Sequence, residues 1–63
     1  MINHYLIIQL KRARSVLKKS GEHYLVGRCH DVMSAMLDTT SPENAEIDAR
    51  ELIHVALGGT IHA

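Results

Sequence analysis

Seven apolar residues between Glu22 and Asp38 recur at helical spacing and constrain the chain more than any other feature. Leu25, Val26, Cys29, Val32, Met33, Met36 and Leu37 follow the i, i+3, i+4, i+7 pattern of one helix face. At about 100° per residue they fill an arc of about 140°, wider than one short neighbouring helix can cover. A helix over this stretch therefore predicts two packing partners. Glu22, His23, Arg28, Asp31 and Ser34 fall mostly off the stripe and predict a wet side.

Sixty-three residues make one domain, 1–63, whose core is marginal unless something adds to it. Trp and Phe are absent, Tyr5 and Tyr24 are the aromatics, and the single Cys29 excludes an internal disulfide. No CxxC or HxxxH pair offers a zinc site, and no metal or cofactor is expected. Oligomerisation remains. With 46% hydrophobic residues in so short a chain, the expectation is a mainly α homodimer of two to three helices per chain with one shared core. The residues assigned to that core are Leu6, Ile8, Leu10, Leu17, Leu25, Val32, Met36, Leu52 and Ile53.

Residues 2–19 predict a first helix, with Asn3 as N-cap and basic residues towards the C-terminal end, where the helix dipole favours them. Ile2, Tyr5, Leu6, Leu10, Ala13, Val16 and Leu17 would share its face. Ile7 and Ile8 point elsewhere on such a helix, and 4–10 also reads as a buried strand with the helix starting near Lys11. Ser20-Gly21 is a stop signal, although the apolar rhythm runs across it almost in phase, so a bent helix from about Lys11 to Asp38 is the alternative. Asp38-Thr39-Thr40-Ser41-Pro42 ends the central helix. Two starts follow: Ser41-Pro42, and the capping box Asp48-Ala49-Arg50-Glu51 flanked by Ile47 and Leu52. The second is the more specific and predicts a helix over Ala49–Leu57, with 42–47 a helical turn or a short extended piece. Gly58-Gly59 stops it, and 60–63 is read as a tail.

Net charge is zero, so no global field draws the chain to nucleic acid or membrane, but the distribution is uneven. Lys11, Arg12, Arg14, Lys18 and Lys19 stand in residues 1–21 with no acid, whereas 22–63 carries seven acids against Arg28 and Arg50. This suits solvated helix faces, a basic surface for an anionic partner, or one protomer's basic segment lying on the other's acidic one. The run Tyr5–Leu10 is too short for a membrane span and lacks signal-peptide features, so a cytoplasmic location with reduced Cys29 is expected.

Few residues offer chemistry. Cys29-His30-Asp31 has the residue types of a nucleophilic triad, but adjacent helical positions diverge by about 100° and cannot meet. His23 and His30 lie about 10.5 Å apart along a helix, too far for one metal ion. Glu51 and His54 have the E-x-x-H spacing of carboxylate-bridged metal bundles, without the further inward glutamate such a site needs. No catalytic residue is expected, and the chain is read as a non-enzyme. Two surfaces remain. Lys11, Arg12, Arg14, Lys18 and Lys19 are candidate nucleic-acid contacts in a helix-turn-helix outline, weakened by Glu22 at the start of the second helix. Met33, Leu37, Ala56 and Leu57 are assigned to an apolar cleft for a partner's amphipathic helix.

Taken whole, from Met1-Ile2-Asn3-His4-Tyr5 to Gly58-Gly59-Thr60-Ile61-His62-Ala63, the chain resembles the small early proteins of lambdoid bacteriophages encoded between the exonuclease and excisionase genes. The resemblance rests on overall sequence and length. It implies a non-enzymatic accessory protein in the host cytoplasm, an intertwined homodimer of helices with a short strand, and an effect favouring lytic development at the host's expense through an unnamed host or phage protein. Over Leu52-Ile53-His54 and the central helix the chain is also similar to the small helical dimers that regulate enterobacterial biofilm formation.

Overall fold

The described residues form three helices of nearly equal length: α1 (His4–Lys19), α2 (His23–Asp38) and α3 (Glu43–Leu57). The computed structural model describes residues 3–38 and 42–58. Among them no strand occurs, and each helix packs against both others, so α2 has the two partners its wide stripe requires.

The start of α1 is set by Asn3, whose side-chain Oδ1 accepts a hydrogen bond from the Leu6 N–H at 3.1 Å while its carbonyl accepts from Ile7 at 3.2 Å. Residues 4–10 are therefore helix and the strand alternative falls away. The buried face of α1 is Leu6, Leu10, Ala13 and Leu17, with Ile7 packed against it. Tyr5 and Val16, expected on that face, are exposed instead. Leu6, Leu10, Ala13 and Leu17 form a narrow i, i+4, i+7, i+11 row, and centring it on the core turns Tyr5 and Val16 outward.

The helix does not continue through Gly21. Gly21 takes φ 75°, the left-handed conformation; its N–H donates to the Lys18 carbonyl at 3.1 Å, and Glu22 N–H donates to the Leu17 carbonyl at 2.9 Å. This pair of bonds satisfies the last carbonyls of α1 and reverses the chain into an αα-hairpin. An added Cβ at Gly21 meets nothing within 4 Å, so the backbone conformation alone sets the cost of substitution. Gly21→Ala is expected to destabilise the protein by about 1 kcal/mol, lowering Tm by roughly 4–8 °C in a thermal melt followed by circular dichroism.

The third helix starts earlier than the capping box at Asp48 predicts. Pro42 precedes its first residue, the Pro42 carbonyl accepts from Glu46 N–H at 2.8 Å, and Asp48 lies inside the helix. Two physical reasons favour the longer element: Ala45 extends the row of Ala49, Leu52, Ile53 and Ala56 on the core side, and Glu43 and Glu46 place negative charge in the first turn. Glu46 also reaches Arg50 at 3.8 Å, four residues on. Gly58, at φ 79°, closes the C-terminal end.

One core lies between the helices, built from Leu6, Leu10, Ala13 and Leu17 of α1, Cys29, Val32, Met33 and Met36 of α2, and Ala49, Leu52 and Ile53 of α3. Leu10, Ile53 and Cys29 form its centre. Ala13 and Ala49 are fully covered, and their small side chains let the helices approach closely. The Cα radius of gyration is 10.9 Å, close to the ~11 Å of a compact domain of this length.

Candidate functional site

Seven of the nine residues assigned to a shared dimer core, Leu6, Leu10, Leu17, Val32, Met36, Leu52 and Ile53, are buried within the single chain. Leu25 is half-buried against the same core. Ile8 differs from the rest, being 56% exposed on the outer side of α1. The single chain thus satisfies most of the apolar surface that sequence reasoning reserved for a second copy.

The apolar cleft proposed from Met33, Leu37, Ala56 and Leu57 is not one groove. Met33 is in the core, Ala56 and Leu57 are half-buried, and Leu37 is exposed. Because α2 and α3 are joined by four residues and pack together, they run antiparallel. Leu37 near the end of α2 and Leu57 at the end of α3 therefore lie at opposite ends of the pair. The residues share helices but not a place on the surface.

What α1 and α3 do show outward is a matched pair of stripes. Ile8, Arg12 and Val16 occupy positions i, i+4 and i+8 of α1, and Ile47, Glu51 and Val55 occupy the same positions of α3. All six are exposed, the four apolar ones by 39 to 62%. Each stripe is about 12 Å long, apolar at both ends and charged in the middle, and the two central charges are opposite. Sequence reading missed the α3 stripe because it took Ile47 for a residue before the cap; the eight-residue spacing to Val55 was the available signal.

The five basic residues of α1 divide between two faces. Arg12 and Lys19 point outward, whereas Arg14 and Lys18 line a groove of about 680 Å³ between α1 and α2, shared with Ser15, His23, Val26, Gly27 and His30. Lys11 is exposed one turn before Arg14 on the same flank. A smaller hollow of about 320 Å³ between α2 and α3 is lined by Arg28, Asp31, Val32, Ala35, Asn44, Ala45 and Asp48. Its charges are mixed.

Cys29 has no exposed surface, while His30 and Asp31 are exposed, so the three are separated as helical geometry requires. Burial pushes the Cys29 thiol up from its ordinary range, opposed by the positive charges of Arg14 and Arg28. Glu51 and His54 are exposed on α3, and the described residues contain no cluster of three His, Cys, Asp or Glu able to hold a metal ion. No helix among them is long and apolar enough to cross a membrane. Comparison with protein-family models, with characterised proteins and with solved structures finds no match to this chain.

Proposed function

We propose that this protein is a non-enzymatic homodimer that works by occupying a partner protein, an early phage accessory protein of the kind its sequence resembles, favouring lytic development at the host's expense. The observation that carries the assembly is the pair of reciprocal stripes. A second copy set with its α3 stripe on the α1 stripe of the first places isoleucine and valine against isoleucine and valine, and Arg12 beside Glu51, whichever way the helices run. The central charges pair in either direction because they lie at the middle of equal stripes. A two-fold axis repeats the contact with the roles exchanged, so one interface uses both stripes twice.

Partner binding is then left to the remaining exposed apolar side chains, Tyr24 and Leu37 on α2 and Tyr5 on α1. In place of the cleft, these isolated anchors are the side chains a partner's pockets would take. Ile8→Lys should weaken self-association clearly more than Ser15→Lys, since both are exposed positions of one helix but only Ile8 belongs to the stripe. Light scattering across a concentration series reads the difference, and equal effects would remove α1 from the interface.

One observation favours a second reading, a DNA-binding regulator: α1 presents five cations and no acid. Binding of that kind loses affinity steeply with salt and depends on Arg12, Arg14 and Lys18. Protein binding through apolar anchors changes little over the same range. A gel-shift titration at two salt concentrations distinguishes them.

A further inference from the structure

We propose that the groove between α1 and α2 is a binding site for a short run of linked phosphates, held between Arg14 and Lys18 on one wall and His23 and His30 on the other. Self-association is not required for it, because no residue of either stripe lines the groove. It takes two cations from the nucleic-acid reading, and the probes below keep the two apart.

Three observations carry it. The first is charge without compensation. Two fixed cations and two imidazoles line the groove, no carboxylate does, and neither Arg14 nor Lys18 joins an ion pair among the described residues. Like charges gathered in one hollow repel, and an anion seated among them relieves the repulsion.

The second is length. Arg14 and Lys18 are about 6 Å apart along α1, and His23 and His30 about 10.5 Å apart along α2. Such rows suit an extended anion with charges in sequence better than a single small ion. The volume falls within the roughly 300–1,000 Å³ of small-ligand sites, and the hollow is too small for a nucleic-acid duplex.

The third is Gly27. Glycine inside a helix is unfavourable relative to alanine. Here nothing in the fold requires it: its φ is not positive, and a Cβ built on it meets no atom within 4 Å. Gly27 lies four residues after His23 and three before His30, in the wall of the groove. Its missing side chain leaves room for a ligand between the two imidazoles.

The test is an NMR titration of the full chain with inorganic tripolyphosphate, with a ten-residue oligothymidylate, and with sulfate matched in ionic strength. The expected result is shifts centred on Gly27 and on the His23 and His30 rings. Lys18→Gln should weaken binding by about tenfold. Gly27→Leu should abolish it while thermal stability stays level or rises, which separates loss of the site from loss of the fold. Tripolyphosphate binding alone identifies a free polyphosphate or nucleotide as the source, and oligothymidylate binding at the same residues identifies a single strand. Binding of neither, equal binding of sulfate, or an unaffected Gly27→Leu variant would overturn the proposal.

Discussion

Leu10→Asp is expected to leave the protein unfolded in buffer at neutral pH. Leu10 has no exposed surface and sits with Ile53 and Cys29 at the centre of the three-helix core, where none of the described residues offers a buried polar side chain to receive a carboxylate. The substitution removes about 1.5–3 kcal/mol of apolar burial and adds several kcal/mol for an unpartnered charge. A domain of 63 residues has about 3–9 kcal/mol in total. The milder Leu10→Ala should cost about 2–5 kcal/mol and lower Tm by roughly 10–30 °C. Ser15→Asp, exposed on the same helix, should stay within about 0.5 kcal/mol of the parent. Far-UV circular dichroism melts check all three. A folded Leu10→Asp protein melting like the parent would mean that the three helices do not converge on this residue.

The second large effect is expected at Arg12, and it concerns assembly and not folding. Arg12 is exposed and makes no ion pair within the described residues, so Arg12→Glu should leave the melt of the single chain nearly unchanged. In the proposed dimer it places two carboxylates opposite each other at the middle of the stripes, twice per assembly. Like charges held together at an interface cost far more than an exposed ion pair contributes. A rise in the dimer dissociation constant of about 10- to 100-fold is expected, equivalent to about 1.4–2.7 kcal/mol. Glu51→Arg should act the same way from the other side.

Much of the helical order was legible in the residues. Asn3 caps α1 because a side-chain oxygen three residues before Leu6 has a free N–H to accept from, and Gly21 ends the helix because it takes positive φ without strain. The α2 stripe predicted two partners and has them. Where local signals competed, packing decided. The Asp48 capping box is a stronger local signal than Pro42, yet Ala45 adds a turn of apolar contact and α3 begins at Glu43. On α1 a four-residue row was enough to fill the space between α2 and α3, and the choice of which hydrophobics to leave outside, Tyr5, Ile8 and Val16, depended on helix positions that no single segment specifies. The surfaces were less legible for the same reason. The phosphate groove joins Arg14 and Lys18 to His23 and His30 only once the hairpin is closed, and the stripe on α3 exists only because Ile47 is helical.

The most direct test of the account is sedimentation equilibrium at micromolar concentration on four proteins: the parent, Arg12→Glu, Glu51→Arg and the double variant. The prediction is a dimeric parent, two weakened single variants and a double variant that recovers most of the lost affinity, because reversing both charges restores the pair across the interface. A monomeric parent, or a double variant that dissociates as readily as the single ones, would contradict it.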